Sequence, residues 1–536
     1  MLPGTRVLPT YEVDNQPAPA LPRDPWRTDA ALRGYAVAFG GRTETLRKAG
    51  EKFSDPALHD AAAEARRDPP RLATFGPDGA RLDEVRFNAG YHAVMRAGLE
   101  SGYVSAAWDG APGGHVTHAA LVYMLTQVEP AICCPLTMTY AAVPALRGNE
   151  SLDAVWQPRL TAALYDPSLR PVDRKPAATM GMAMTEKQGG SDVRAGRTRA
   201  EPDGSDYRLT GHKWFCSAPM SDGFLTLAQA PEGLTCFLMP RWLPDGRNAI
   251  RLMRLKDKLG NRANASAEIE MEGALAHRLG EEGDGIRTIL EMVHHTRLDT
   301  ALAPAGLMRA ALAEAVRWCE GRVAFQRRLI DQPLMRVVLA DLALDWEAAL
   351  AVGLRVAAAF DRPEERPFAR IAVALAKFHA NKRAPWVIAE ALECLGGMGY
   401  VEETSLSMLY REAPLNGIWE GSGNVISLDV RRTLDRVREA ADALRAELEA
   451  AERSNSIYDA ALRSLPDLSN PPAEAEARIL TERLAILLGA SVLLRHAPSA
   501  VADAYCATRL GERGLAAGTI RTSGAEELLG RLRPDT

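Results

Sequence analysis

The 536 residues predict a mainly helical chain interrupted by one all-β insert. Three observations carry that expectation. Apolar residues recur every three or four positions on both sides of the insert, they alternate with period two between about residues 177 and 283, and a proline-rich break at 464–476 sets off a last helical stretch. At about 150 residues per domain the length corresponds to roughly three to four units. The expected units are an N-terminal arm and helical domain (1–176), a β domain (177–283), a helical bundle (284–440) and an extra C-terminal helical domain (441–536).

The opening MLPGTRVLPTYEVDNQPAPALPRDP is rich in proline, lacks the apolar core of a signal peptide and reads as an extended arm. From about 26 to 175 the pattern is helical: Tyr91, Met95 and Leu99 stand four apart, and HAALVYMLTQ continues in the same style. In the insert, Ala267, Ile269 and Met271 alternate with Glu268 and Glu270. There, RTRAEPDGSDYRLTG reads as strand, Asp-Gly turn, strand, and the Pro-Glu-Gly at 231–233 marks a second hairpin. Past Gly285, Leu334, Val338, Leu342, Trp346, Leu350 and Leu354 form one stripe, opened by Asp331 and Pro333. After SLPDLSNPPAEAE, a helix carrying Leu480, Leu484 and Leu488 begins what reads as a separate appendage.

Composition excludes several classes. With 64 Lys+Arg against 69 Asp+Glu the net charge is -5, so nothing marks the whole chain as a nucleic-acid binder. The longest apolar run, LAILLGASVLL, falls short of the roughly 18 residues of a membrane span, and a soluble cytoplasmic protein is expected. Seven cysteines, an odd number without a C-x-x-C pair, point to reduced, buried thiols rather than a disulfide framework. The tight histidine pair His294-His295 lies about 100° apart on a helix, and no H-E-x-x-H occurs, so no metal is expected.

Three stretches carry chemistry. MAMTEKQGGSDV (182–193) leaves a strand for a turn with two glycines and hydroxyls at Thr185 and Ser191, able to aim N–H groups and hydroxyls at an anion or ring carbonyl, or to be simply a polar turn. GHKWFCSAP (211–219) sets Trp214 before Ser217 on a strand, where an indole packs against a planar cofactor or against the core. GIWEGSGNVISLDVRR (417–432) places Glu420 between Trp419 and a glycine-rich turn. A carboxylate among apolar walls has its pKa raised toward working pH and serves as a general base, while an acid near a helix start also simply favours the dipole.

In this order the three stretches resemble the acyl-CoA dehydrogenase superfamily, with its T-E-x-x-x-G-S-D turn, G-x-K strand and aromatic-E-G-T/S turn. RLGEEGDGIRTILEMVHHTRLDTA (278–301) and ECLGGMGYVEE (393–403) resemble further family segments. YEVDNQPAPALP, RLDEVRFNAGYH, CCPLTMTYAAVPAL and MPRWLPDGRNAIRLMRLKDKLGNRANASAEIE look like the AidB branch, associated with the adaptive response to DNA alkylation, and the likeness covers essentially the whole chain.

The resemblance implies a helical domain, an antiparallel β-barrel and a helical bundle, with an added C-terminal helical domain. It implies FAD, lined at its ring by Met182, Met184, Thr185, Ser191, Trp214, Cys216, Ser217 and Ala218 and held elsewhere by the run from Ile418 through Gly421, Ser422, Gly423 and Asn424 to Leu428. Glu420 takes the α-proton of an acyl thioester, and Arg297 packs near it; Thr296, at the position some relatives use for the base, cannot serve. A homotetramer is implied, with Arg322, Phe325 and Gln332 reaching the FAD of a neighbouring subunit, although Gln326 stands where glycine is usual. Double-stranded DNA is an implied partner of the C-terminal domain. Residues 441–536 nevertheless hold 11 Arg and no Lys against 14 Asp+Glu, a net of 11 - 14 = -3. Phosphate binding requires positive charge, so this segment is not basic by composition. Two functions follow: a flavin dehydrogenase acting on a small thioester, or a flavoprotein that binds and protects DNA.

Overall fold

A computed structural model describes residues 9–533 except 513 and 523. The first eight residues of the predicted arm lie outside these. Helices α1 (Ala30–Ala38), α2 (Thr43–Phe53) and α3 (Pro56–Arg67) open the fold. The α1 N-cap is Asp29 and the α3 N-cap Asp55, each carboxylate accepting from a first-turn N–H, with Pro56 at the first position of α3. A hairpin follows, β1 (Arg71–Phe75) and β2 (Arg81–Arg86), which the helical pattern did not predict. Its cause is local: Gly76-Pro77-Asp78-Gly79 closes the turn, with Gly79 at φ +80°. Then come α4 (Ala89–Glu100), α5 (Gly114–Thr126), α6 (Pro130–Leu146) and α7 (Glu150–Leu160). Every residue of α5 is buried, so this helix runs through the core rather than along its edge.

The β insert comprises β3 (Met180–Ala183), β4 (Arg199–Asp203), β5 (Asp206–Ser217), β6 (Gly223–Ala230), β7 (Gly233–Pro240), the short β8 (Trp242–Leu243) and β9 (Gly246–Arg247), β10 (Ile250–Leu255) and β11 (Ser266–Leu279). The sheet runs β10-β11-β5-β4-β6-β3, and β7 closes it by pairing with both β11 and β6. Pairing is antiparallel except where β6 lies parallel to β3 and β4. Both expected hairpins form, β4-β5 around Gly204 and β6-β7 around Gly233.

Helix α8 (Gly285–Gly321) leads to a small hairpin, β12 (Val323–Ala324) and β13 (Arg327–Arg328). The bundle continues with α9 (Pro333–Phe360), α10 (Arg366–Cys394), α11 (Leu406–Glu412) and α12 (Gly423–Arg436). The stripe on α9 is buried from Leu342 onward, whereas Leu334 at its start is exposed. The last helices are α13 (Arg438–Glu449), α14 (Ser456–Arg463), α15 (Ala477–His496), α16 (Ser499–Tyr505) and α17 (Ala525–Leu532).

These last helices are not a separate appendage. Leu480, Leu484 and Leu488 belong to the same apolar core as Leu342 and Trp346, and α15 packs against α9, α10 and α12. Its Leu487, Val492 and Leu493 are buried as well, so the helix is enclosed on more than the one predicted stripe. Arg509 is inserted under the bundle, 2.7 Å from Asp341 and 3.0 Å from Asp345, and Arg383 meets Asp345 from α10 at 2.7 Å. Arg531 on α17 pairs with Glu347 at 2.7 Å.

Candidate active site

Glu420 lies on a strained turn. A short 3-10 turn at Leu415–Gly417 ends beneath it, Glu420 itself adopts φ +57°, Gly421 follows at +105°, and α12 begins two residues on. A non-glycine residue in the left-handed region costs of order 1–3 kcal/mol and persists only when its surroundings over-determine it. Two buried cations do so here. Arg297 on α8 donates its Nε to the Glu420 carbonyl (3.2 Å), and Lys377 on α10 donates Nζ to the Gly421 carbonyl (2.8 Å). Arg297 is itself held by Asp429 (2.7 Å), which Arg370 clamps from α10 (2.7 Å). The indole of Trp419 donates to Asn416 (2.9 Å), which fixes the ring to the turn.

The side chain of Glu420 is treated differently. Its Oε2 is buried and has no hydrogen-bond partner. Burial raises its pKa above the ordinary carboxylate value, while Thr296, Lys377 and Arg297 pull the other way. The Thr296 hydroxyl donates to the Val293 carbonyl (3.0 Å), in keeping with a supporting position. Burial lowers the Lys377 ammonium to about 7, with Glu420 opposing the shift. The site therefore holds a carboxyl and an amine whose pKa values burial pushes toward each other.

The first two sequence motifs are joined by a buried ion pair. Glu186, 2% exposed, accepts from Lys213 (3.0 Å), 1% exposed, and from the Thr198 hydroxyl (2.7 Å) and the Arg197 N–H (2.7 Å). These partners hold Glu186 down to about 2 despite its burial. The pair anchors the 184–198 loop to β5, so the motif's Glu and Lys serve the framework and leave the ligand-facing work to their neighbours.

Those neighbours divide. Met182 and Met184 alternate with the buried Ala183 and so lie on the outer side of β3; Thr185 follows, its carbonyl accepting from the Trp214 N–H (2.8 Å), and Ser191 is exposed. Cys216 points the other way, fully buried in the barrel core, and can offer a ligand only its backbone. Ser217 Oγ lies 3.3 Å from Ser266 Oγ, and Ala218 sits at φ +50°. At Trp214 the strand bulges: between the pairs Lys213–Ile269 and Cys216–Ala267, both Trp214 and Phe215 face the single residue Glu268. Lys256 stands over both rings, 3.4 Å from the Trp214 centroid and 4.8 Å from that of Phe215. One face of Trp214 is thus taken by a cation.

Ile418 and Asn424 are exposed, and Asn424 accepts from Arg478 of α15 (3.3 Å). The residues expected to reach another subunit cluster on the β12-β13 hairpin. Phe325 is 96% exposed at its tip, with φ +51°, Gln326 follows at +63°, and Gln332 braces the Ala324 carbonyl (3.2 Å). Arg322 is turned toward the Asn15 carbonyl of the arm (2.5 Å). Among the described residues no cluster of three or more histidine, cysteine or acidic side chains could hold a metal, and all seven cysteines are free and buried.

A cleft of about 1160 Å³ is lined in part by Arg297, which also bonds the Glu420 carbonyl, although no residue of the Glu420 turn itself lines it. Arg194, Arg287, Arg366 and Arg370 reach it from the loop, α8 and α10, with His294 in its wall, but Asp284, Glu291, Glu364 and Glu439 line it too, and Arg366 pairs with Glu291 at 3.0 Å. Sequence reading missed Lys377 and this arginine set, because Lys377 sits in an ordinary-looking helical run, AKFHANKRAP, whose fold partner is more than forty residues away.

Comparison with known proteins identifies the chain's domains and relatives. Residues 15–167 match the family description "Adaptive response protein AidB N-terminal domain", residues 181–274 the acyl-CoA dehydrogenase middle domain, and residues 283–434 its C-terminal domain. AidB of Escherichia coli (strain K12) is 42% identical over 518 residues, covering 94% of this chain and 95% of that protein. Acyl-CoA dehydrogenase family member 11 of Caenorhabditis elegans is 31% identical over 90% of this chain and 85% of its own. The crystal structure of Caenorhabditis elegans ACDH-11 in complex with C11-CoA superposes with a TM-score of 0.84 at 26% identity, covering 95% of each chain. The chain belongs to the acyl-CoA dehydrogenase family, in its AidB branch.

Proposed function

We propose that the protein is an FAD-dependent dehydrogenase that removes hydrogen across the α,β carbons of an acyl-CoA thioester, with Glu420 as the base. The observation that carries this reading is the buried, unpartnered Oε2 of a carboxylate whose backbone, but not its side chain, is tied down by cations. Such a group is poised to take a proton near neutral pH.

The residues present fit the cofactor. α12 starts at Gly423, and its N-cap Ser422 makes no side-chain capping bond, leaving first-turn N–H groups free. Lys382 and Arg478 stand beside Gly423 and Asn424 with no carboxylate in ion-pairing range among the described residues, a setting for a diphosphate. FAD, when bound, supplies the acceptor for the hydride leaving the β-carbon. The chain's own share is to take the α-proton onto Glu420 Oε2, to keep that oxygen ionisable through Lys377, and to hold the turn through Arg297. A coenzyme A thioester is the substrate class that presents a weakly acidic α-hydrogen to a base such as Glu420 Oε2. The C11-CoA bound by ACDH-11 supports that substrate class.

An anaerobic visible spectrum of the purified protein, titrated with a panel of acyl-CoA thioesters, tests the reading. Bleaching of the flavin band supports it, and bound flavin that no thioester reduces overturns it.

We further infer a cytoplasmic homotetramer, in which the exposed Phe325 hairpin reaches a neighbouring subunit's cofactor. Among the described residues no helix is long and apolar enough to cross a membrane. A second reading gives the protein a part in the response to DNA alkylation through binding of duplex DNA. It draws on the full-length likeness to AidB and not on the C-terminal helices, which are acidic. Affinity for duplex that falls steeply with salt supports it; none at low ionic strength overturns it.

A further inference from the structure

Beside the Glu420 turn lies a second group of polar side chains, of which the proposed reaction uses only Ser217, at the flavin ring. Cys134 on α6, Ser217 at the end of β5 and Asn264 in the loop before β11 meet there, and the Cys134 thiol lies in the field of both Lys258 and Glu420. Asn264 is 1% exposed, and neither its Oδ1 nor its Nδ2 makes a hydrogen bond of normal geometry; only the Cys134 thiol, a weak partner, interacts with the amide. Its backbone is not loose: the Asn264 carbonyl accepts from Lys258 Nζ (2.6 Å), which also reaches Ser266 Oγ (3.1 Å). A buried primary amide with both ends unmatched is rare in a native core and marks a place where something else completes the bonding.

The charge around it is unusual as well. Lys258 has no carboxylate in ion-pairing range among the described residues, and burial lowers its ammonium to about 8. Glu412, the nearest acid in its field, is buried, raised to about 7, and committed to the Asn261 N–H (2.6 Å). With Glu420 in the same field the charges come close to balancing, and the polar Lys258 ammonium bonded beside the amide suits an incoming oxygen more than a methyl group.

We propose that Asn264 is a specificity-determining residue that hydrogen-bonds an oxygen function, a hydroxyl, amide or carboxylate, carried on the acyl chain away from the thioester, with Lys258 fixing its position. The preferred substrate is then an acyl-CoA with a polar terminus rather than a plain alkyl chain. This rests on the acyl-CoA reading above and narrows it. An apolar chain end would bury the amide unpaired, which discriminates strongly, as in sites built to bond a substrate hydroxyl.

The test uses the flavin-loaded full chain and pairs of thioesters matched in length, one ending in a methyl group and one in a hydroxyl, amide or carboxylate. Binding is read from perturbation of the flavin spectrum and flavin retention is measured separately. The expected result is a preference of roughly ten- to hundredfold for the polar member, lost in Asn264→Leu and partly kept in Asn264→Gln. Equal or tighter binding of the alkyl member to the wild-type protein overturns the proposal while leaving the dehydrogenase reading intact. An Asn264→Leu protein that releases flavin but keeps its selectivity overturns it too, because the amide then serves the cofactor. A panel in which no thioester perturbs the flavin overturns both readings.

Discussion

The Glu420 turn and the Arg509 clasp are built from the same materials and put to opposite uses. In the clasp, the Asp345 carboxylate accepts from Arg509 Nε (3.0 Å) and from Arg383 Nε and Nη2 (2.9 and 2.7 Å), and those arginines hold its pKa well below the ordinary value in spite of burial. In the turn, Arg297 and Lys377 are just as close, but they bond main-chain carbonyls and leave Oε2 of the Glu420 carboxylate unmatched. Saturating a buried acid fastens two segments together; withholding partners from one stores reactivity.

That contrast can be broken from either side. Glu420→Gln should reduce thioester-driven flavin bleaching by at least about 10³-fold in stopped-flow traces while the protein stays yellow and as stable as before, because the neutral amide removes a buried charge. Retained bleaching would place the base elsewhere. Asp345→Asn should do the reverse, lowering unfolding stability by roughly 3–5 kcal/mol in denaturant titration, since it strips Arg509 and Arg383 of their shared partner. Bound flavin in whatever fraction remains folded should still be reduced.

Lys377→Met sharpens the comparison. Glu420 must be ionised to act, so activity falls as pH drops through its raised pKa. Removing the neighbouring cation raises that pKa further and moves the acid limb of the pH-rate profile upward. A shift of one pH unit corresponds to roughly a tenfold loss on that limb. An unmoved limb would reduce Lys377 to a brace for the turn. The smallest effect is expected at Gln326→Gly, where relief of the left-handed backbone and the added freedom of the unfolded chain offset each other to within about 1 kcal/mol.

Much of this was legible in the sequence, unevenly. The insert announced itself through Ala267, Ile269 and Met271, all buried on one side of β11, and Glu420 through its glycines. The β1-β2 hairpin was readable from its Pro-Asp-Gly turn and was lost to the surrounding helical pattern. The bulge at Trp214 was not readable, because an extra residue in one strand is defined only by its partner, here Glu268. Lys377 and Asn264 stayed hidden for a related reason: their meaning lies in what is near them in space. The likeness of the last helices to an appendage failed because periodicity reports one stripe per helix, and α15 is enclosed by α9, α10 and α12 together.

The depth of Arg509 has a practical meaning for anyone tempted to trim the molecule. A chain cut after α12 would not be a smaller dehydrogenase with a clean surface. It would uncover the parts of α9 that α15 and α17 pack against, leave Asp345 with Arg383 alone and Asp341 without Arg509, and remove Arg478 from beside Asn424. The catalytic half and the tail are modules in name only, and they should be expressed, heated and digested as one object.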